Sequence, residues 1–395
     1  MAGPFRPWRD QMPPAPVRIV RDLRLDLFRG LALLLIFLDH IPSNVVSWVT
    51  VRNYGFSDAA EIFIFISGYA NAYVYGAVIR RRGLIDAAAW ILNRAWQIYL
   101  AQIFLFVVYI AEIAYLAGSS AYYTEEANLQ IFLQQPDVAM LEALLLKFRP
   151  VNLDILPLYV MLMLGFPPFL WLLTRNPTAG LAASVALNAL ARSLDWNLPA
   201  YPTGSWYFNP FAWQLLFVFG AWCALGGAVR LQRFARSPAV LTLAAAYLVF
   251  AFLIVMTWHF PQLARLVPGW MAKLLYPIDK SNLDLLRFAH FLALAALVVR
   301  FVPRDWRMLA SPVLRPLIRV GQHSLEIFGL GIVLAFAGHF ATVDIAAGVA
   351  MQALVSALGI AAMIGVALLI SWYDSIGMPF EIVDEDPEVR RAGRA

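Results

Sequence analysis

Apolar runs of membrane-spanning length are the feature that most constrains how this chain folds. An α-helix needs about 20 apolar residues, at about 1.5 Å each, to cross a bilayer. Of the 395 residues, 61% are hydrophobic and only 14% are charged, whereas soluble domains have about 25% charged residues. The sequence therefore predicts an all-α, polytopic bundle of transmembrane helices. About ten spans are expected, at residues 25–47, 58–79, 90–117, 151–173, 178–191, 210–229, 238–258, 283–301, 316–337 and 346–372.

The distribution of arginine predicts the orientation of these spans. Cytoplasmic loops of membrane proteins carry an excess of Lys and Arg. If the N-terminus is inside, alternate loops collect Arg80–Arg82, Arg175, Arg230, Arg233, Arg236, Arg300, Arg304, Arg307 and Arg315. We therefore predict that both termini are cytoplasmic. The predicted parts are a basic arm at residues 1–23, a membrane domain at 24–373 and a tail at 374–395.

Charge, cysteine content and motifs exclude several classes of function. The net charge of +5 is spread over short loops and forms no basic patch, so nucleic acid is not an expected partner. Cys223 is the single cysteine, so an internal disulfide and a thiolate metal site are both excluded. The chain also lacks a phosphate-binding loop, a zinc-protease motif and a nucleophile elbow. We expect no metal cofactor and no ATP-driven transport.

The first predicted span, "DLFRGLALLLIFLDHI", contains charged and titratable residues where membrane helices rarely place them. Arg29 and His40 are eleven residues apart, which brings them to within about 20° on one helix face and about 16 Å apart along the axis. Asp26 lies one turn before Arg29 and can pair with it, and Asp39 is adjacent to His40. The spacing predicts one polar stripe, with a cation near the cytoplasmic end and an imidazole nearer the outer end.

Three other spans contain ionisable residues at helical spacing. The ninth span has Arg315, Arg319, His323 and Glu326 at intervals of four, four and three, which predicts a polar stripe on its inner half. The eighth has Asp284, Arg287 and His290 at intervals of three, and the second begins with Asp58 and Glu61. Such residues usually line a cavity or pair with one another. A purely structural alternative is that Asp26 with Arg29, and Asp284 with Arg287, are buried pairs that fix helix register.

The predicted outer loops are rich in aromatic and amide side chains. Residues 192–209 contain Trp206 and Asn209, and the loop at 259–282 ends with Asn282. Interfacial aromatic belts account for many such residues in membrane proteins. Aromatic rings beside amides also suit the apolar faces of carbohydrate. Both interpretations stay open for each of these residues.

Several segments of the chain resemble one membrane protein family. Arg29 and His40 match the R-x10-H pattern of a large superfamily of membrane acyltransferases that O-acylate carbohydrates. Residues 25–76, from "LDLFRGLALLLIFLDH" to "ANAYVYG", closely resemble the opening of OpgC-type proteins. The segments "GSWYFNPFAWQLLFVFGAW", "DLLRFAHFLALAALV" and "GQHSLEIFGLGIVLA" are similar to later parts of that family, in the same order.

The resemblance implies a multi-pass protein of the bacterial inner membrane that adds succinyl groups to osmoregulated periplasmic glucans. It implies acyl-CoA, succinyl-CoA in particular, as co-substrate, and a glucan or another polysaccharide as acceptor. By the match of motifs, His40 occupies the family's candidate catalytic position and Arg29 that of its charged partner.

From the residues and this resemblance we predict a mechanism. Neutral His40 acts as general base on a sugar hydroxyl, with Asp39, Asp58 or Glu61 as the orienting carboxylate. Arg29 and Arg319 hold the phosphates or the succinyl carboxylate of the donor, because guanidinium groups bind such anions bidentately. His323 and Glu326 lie on the same predicted polar stripe as Arg319, and we assign all three residues to binding of the acyl donor. The expected acceptor-side residues are Asp58, Glu61, Trp206, Asn209, Asn282, Asp284, Arg287 and His290.

Two other classes of function stay open. A transporter or flippase would use intramembrane charges for proton coupling and would have inverted repeats and broken helices. A glycan-binding membrane subunit would use the polar stripes only for packing. Direct transfer and an acyl-histidine intermediate are equally compatible with the residues, and a homodimer is also left open.

Overall fold

The computed structural model describes residues 22–118 and 120–377, so residues 1–21 of the predicted arm and 378–395 of the predicted tail lie outside the described part. The described part is all-helical and contains no β-strand. Its α-helices are α1 Leu23–Asp39, α2 Ala59–Arg82, α3 Leu84–Ala117, α4 Ala121–Glu126, α5 Gln130–Gln134, α6 Pro136–Leu144, α7 Ile155–Arg175, α8 Pro177–Ser193, α9 Pro210–Trp222, α10 Ala228–Ala235, α11 Pro238–His259, α12 Pro261–Ala264, α13 Gly269–Leu275, α14 Leu285–Phe301, α15 Arg315–Gln322, α16 Ser324–Phe340 and α17 Val349–Gly377.

Each of the ten predicted spans contains a helix. Seven helical segments of the described part are long and apolar enough to cross a membrane. They are α2, α3, α7, α11, α17, and the longer stretches that begin with α9 and with α16. The helices α1, α8 and α14 have 17 residues each, about 26 Å at 1.5 Å per residue, slightly less than the hydrocarbon thickness. The prediction of an all-α membrane protein is confirmed, while the span count and the orientation of the termini stay predictions.

The ninth predicted span is not one helix, so the polar stripe predicted on its inner half does not run along a single helix face. His323 separates α15 from α16 with non-helical angles of φ −105° and ψ 44°. Its Nε2 lies 2.8 Å from Ser371 Oγ of α17, a contact that sequence periodicity does not encode. A second interruption follows α9, where Gly226 has a φ of 107°. At this angle glycine is favoured because it has no Cβ.

The helix α1 is central to the bundle and packs against α2, α15 and α16. Its approach to α15 is close because two glycines face each other. A methyl group at Gly30 would collide with the Leu317 carbonyl oxygen, and one at Gly321 with the Asp26 carbonyl oxygen. In the same way, Gly68 of α2 contacts the backbone of Phe217 in α9. Small residues therefore set the position of α1, which carries both Arg29 and His40.

Candidate functional site

His40 is the residue that follows the last turn of α1, and its ring has a defined hydrogen bond. Its Nδ1 lies 2.6 Å from the Ile36 carbonyl oxygen. Because a carbonyl only accepts, Nδ1 carries the proton, and the neutral ring has its lone pair on Nε2. Nε2 has no hydrogen-bond partner in residues 22–118 and 120–377. The ring is thus held as a proton acceptor.

His40 lines a small cavity, which we call the His40 cavity. Its volume is about 30 Å³, enough to hold a water molecule or a group of similar size. The lining residues are His40, Pro42, Tyr109, Tyr123, Glu126, Ala127, Val151, Asn152, Phe336 and His339. The imidazole is half-buried and has access to a cavity that fits one hydroxyl group.

Asp39 does not orient the His40 ring. Its Oδ1 accepts a hydrogen bond of 2.8 Å from Thr50 Oγ1, in the segment that follows α1. Adjacent positions on a helix point about 100° apart, which explains why the two side chains diverge. Both are nevertheless within electrostatic range of Arg52, Asp58 and Lys280. The orienting group of His40 is the backbone carbonyl of Ile36.

Arg29 lines a second and larger cavity, the Arg29 cavity, of about 190 Å³. The guanidinium is 3.8 Å from Asp26 Oδ1, as the i,i+3 spacing predicts, and its Nη1 is 3.5 Å from the Gly321 carbonyl oxygen. The cavity is lined by Arg29, Phe63, Ser67, Ala70, Asn71, Val74, Tyr75, Arg94, Leu156, Tyr159, Gln322, Ser324 and Leu325. Two guanidinium groups and several hydroxyl and amide groups therefore surround one space, which suits an anion.

The sequence model of the family described as OpgC protein matches residues 21–375. The chain belongs to the OpgC family. That family implies a membrane acyltransferase-type function, and the chain is accordingly a multi-pass membrane protein of this class. No curated protein and no solved structure matches the chain.

The predicted donor-binding residues Arg319, His323 and Glu326 are not among the residues that line the Arg29 cavity. Arg319 is exposed, and its Nη1 donates to Gln322 Oε1 at 2.7 Å. Glu326 is exposed as well, and His323 contacts Ser371. Instead, the residues on either side of the break at His323, Gln322 and Ser324, line the cavity.

Four charged side chains form an ion network between the start of α2 and α14. Arg287 Nη2 lies 2.6 Å from Glu61 Oε1 and 3.3 Å from Asp58 Oδ2. Lys280 Nζ lies 2.6 Å from Asp58 Oδ2. Burial opposes the charge of Lys280, yet the Asp58 carboxylate raises the Lys280 pKa above its ordinary value. Asp58 and Glu61 also form a capping box at the first turn of α2, so all four groups stabilise this helix end.

The alternative of a buried Asp284–Arg287 pair that fixes helix register does not match the structure. Asp284 accepts from Leu286 N as the cap of α14 and lies 3.2 Å from Arg192 Nη2. Arg287 instead points to Glu61, 226 positions earlier in the chain, and these groups are buried. A buried arginine is strongly destabilising unless a carboxylate pairs with it. The buried Glu61 provides that carboxylate, whereas Asp284 caps the start of α14.

His290 is buried beside the segment that connects α1 to α2. Its Nδ1 is 2.7 Å from Ser57 Oγ, and any side chain at Gly55 would collide with the ring. His290 therefore holds this connection against α14. It does not line the His40 cavity.

The three remaining acceptor-side candidates also have protein contacts. Trp206 is buried, with the Arg149 guanidinium 4.4 Å from its ring centre. Asn209 caps α9 and donates to Asn282 Oδ1 at 2.8 Å. Their roles in acceptor binding stay predictions.

Sequence reasoning missed residues that the fold brings to the two cavities. Arg94 of α3 lines the Arg29 cavity, and Glu126 of α4 lines the His40 cavity. The pairing of His339 with Glu126 at 2.7 Å was also missed. Glu126 lies 213 positions earlier in the chain, so only the fold could reveal the pair.

Proposed function

We propose that this OpgC-family protein moves an acyl group, succinyl in particular, from cytoplasmic acyl-CoA to hydroxyl groups of a periplasmic glucan across the bacterial inner membrane. The observation that carries the proposal is the state of His40. Its Nδ1–H is committed to Ile36, its Nε2 is an acceptor, and the ring lines a cavity that fits one hydroxyl. This is the arrangement that a general base for acyl transfer requires.

In the proposed step, the glucan hydroxyl gives its proton to His40 Nε2 while its oxygen attacks the thioester carbonyl carbon. A C–O bond forms and the C–S bond breaks. The departing thiolate recovers the proton from the imidazolium, so the products are the glucan ester and free CoA thiol. No group beyond the donor and the acceptor is consumed.

The Arg29 cavity supports a site for the anionic donor. Arg29 and Arg94 present guanidinium groups to it, and such groups bind phosphate or carboxylate bidentately. Arg319 is exposed on α15, the helix that packs on the Arg29 end of α1, where it would contact the part of CoA outside the cavity. Arg29 lies in α1 and His40 follows its last residue, so this one helix positions both the proposed donor site and the proposed base.

The experiment is mass spectrometry of periplasmic glucans from cells with the gene, without it, and with a His40→Ala copy restored. We expect a succinyl mass increment only with the wild-type gene. Wild-type glucan modification in cells without the gene, or with the folded His40→Ala protein, would refute the proposal.

The broken helices favour one rival, a transporter or flippase. Interruptions at His323 and Gly226 resemble the discontinuous helices that transporters use at their binding sites. Purified protein in detergent distinguishes the two functions, because no membrane separates the compartments there. An acyltransferase converts acyl-CoA and glucan to ester and free thiol under these conditions, whereas a transporter gives no covalent product.

A further inference from the structure

One face of α2 presents polar side chains to the Arg29 cavity. Ser67, Asn71 and Tyr75 follow one another at intervals of four residues, so they share a face of the helix, and all three line the cavity. Tyr159 of α7 lines the same cavity from the neighbouring helix. An anion in this space would therefore meet uncharged hydroxyl and amide groups as well as the guanidinium of Arg29.

The amide of Asn71 determines how the Tyr159 hydroxyl is used. Its Nδ2 donates to the Ser67 carbonyl oxygen at 2.7 Å and to the Tyr159 hydroxyl oxygen at 2.9 Å. Because a backbone carbonyl only accepts, the amide atom that faces Ser67 is the nitrogen, and both of its protons are used. The Tyr159 oxygen is therefore the acceptor in its contact with Asn71, and its own proton points elsewhere. Among residues 22–118 and 120–377, no acceptor for that proton is found.

Aromatic contacts hold the Tyr159 ring inside the bundle. Its centroid is 6.3 Å from that of Phe63 on α2, in an edge-to-face contact, and 6.2 Å from that of Phe217 on α9. Both phenylalanines are buried, whereas Tyr159 is half-buried. Because the ring packs against core residues and lines the Arg29 cavity, this cavity accounts for its accessible surface.

We propose that the Tyr159 hydroxyl, positioned by Asn71, donates a hydrogen bond to a phosphate oxygen of the acyl-CoA donor in the Arg29 cavity. The inference rests on the proposed function and adds an uncharged donor-binding residue to it. Tyrosine hydroxyls bind phosphate oxygens alongside arginine in protein–nucleic acid contacts. The same combination of donors lines this cavity.

The length of the donor favours its phosphates over its acyl carboxylate as the bound group. Arg29 and His40 are about 16 Å apart along the axis of α1. The arm of CoA from its sulfur to the nearest phosphorus has about thirteen bonds, which span about 16 Å at about 1.2 Å per bond. A succinyl group measures only about 4 Å between its two carboxyl carbons. With the thioester at His40, the phosphates therefore reach the Arg29 cavity and the succinyl carboxylate does not.

The test measures binding of free CoA and of succinyl-CoA to purified protein by equilibrium dialysis. Free CoA has the phosphates and lacks the succinyl carboxylate. We expect Tyr159→Phe, which removes only the hydroxyl, to weaken binding of both compounds about 10–100-fold, the usual effect of losing a hydrogen bond to a charged group. The value of kcat at saturating donor should change little, because the hydroxyl binds the part of the donor that does not react.

Tyr99→Phe is the matched control for this change. The Tyr99 hydroxyl donates to the Leu144 carbonyl oxygen, and Tyr99 lines neither cavity, so both affinities should stay at the wild-type values. Wild-type affinity for both compounds in the folded Tyr159→Phe protein would overturn the inference. A loss confined to succinyl-CoA would also overturn it, since the hydroxyl would then bind the carboxylate.

Asn71→Ala tests the positioning role with a readout that a purely structural role would not change. The substitution releases the Tyr159 hydroxyl, so we expect it to weaken CoA binding in the wild-type background. In the Tyr159→Phe background it should have a smaller effect, because both residues act through the same hydroxyl and their effects are not additive. Equal effects of Asn71→Ala in the two backgrounds would overturn the inference.

The same measurements separate this inference from the proposed function. If wild-type protein binds neither CoA nor succinyl-CoA, both fail. If Arg29→Gln weakens binding and Tyr159→Phe does not, the inference alone is wrong. If Tyr159→Phe weakens binding of both compounds but wild-type protein transfers no acyl group to glucan, the phosphate site is supported and the proposed acyl transfer fails.

Discussion

At the scale of single residues, the proposed function depends on which nitrogen or guanidinium faces which cavity. His40 is held by a backbone carbonyl of its own helix, so its tautomer does not depend on any distant side chain. Arg29, in contrast, is placed by the close contact of α1 with α15. We therefore expect substitutions at His40 to affect the chemical step and those at Arg29 to affect donor binding.

Arg29→Gln tests donor binding. A hydrogen bond to a charged group contributes about 1.5–3 kcal/mol, so we predict that KM for acyl-CoA rises about 10–100-fold while kcat changes less. Arg81→Gln is the control, because Arg81 is exposed at the end of α2 and lines neither cavity. Equal KM values for the two variants would contradict a donor site at Arg29.

Arg287→Ala tests the ion network. The substitution leaves Glu61 buried without its closest cation, which should lower the free energy of unfolding by about 3–5 kcal/mol. Arg192→Ala removes a more exposed pair with Asp284, and should cost no more than about 1 kcal/mol. Denaturation in detergent measures both, and similar losses would show that the network contributes little.

Among the ion pairs, those within one helix could be predicted from the sequence, and those between helices could not. The Asp26–Arg29 pair could be predicted because both residues are one turn apart on one helix. The partner of Arg287 could not, because an apparent i,i+3 partner was outcompeted by a buried carboxylate on another helix. Spacing within one element indicates which pairs are feasible, and the tertiary contacts decide between them.

At the scale of helices, the apolar runs predicted all seven helical segments of the described part that are long and apolar enough to cross a membrane, because hydrophobic length is a strong local signal. The break at His323 was missed because Arg315, Arg319, His323 and Glu326 recur at helical spacing through the stretch "RPLIRVGQHSLEIFG". The break depends on contacts with α1 and α17, which lie far away in the sequence.

Gly30→Ala tests the helix packing that places Arg29. The added methyl group would meet the Leu317 carbonyl oxygen, which is backbone and cannot swing aside. We predict a loss of about 1–3 kcal/mol or more in the free energy of unfolding. Gly165→Ala in α7 is the control, since nothing lies within 4 Å of its added methyl group, and it should be neutral or slightly stabilising. Equal stability of the two variants would contradict the close α1–α15 contact.

At the scale of the whole molecule, the function requires that the two cavities open toward opposite compartments. Arginine distribution predicts that the Arg29 end of α1 is cytoplasmic and that the His40 end is periplasmic. The structure separates the two cavities along α1, which suits a donor and an acceptor that never share a compartment.

Cysteine labelling tests this orientation. In a Cys223→Ser background, Glu125→Cys should react with a membrane-impermeant maleimide in intact spheroplasts, whereas Arg81→Cys should react only after the membrane is opened. Both positions are exposed, and they lie at opposite ends of the predicted topology. Labelling of both from the same side would contradict it.

The central claim is that His40 is the proton acceptor of an acyl transfer. The most direct measurement is kcat of purified His40→Ala for succinyl-CoA and glucan, compared with wild type at equal amounts of folded protein. Loss of a general base predicts a fall of about 10²–10⁴-fold. A folded His40→Ala protein with the kcat of wild type would contradict the account.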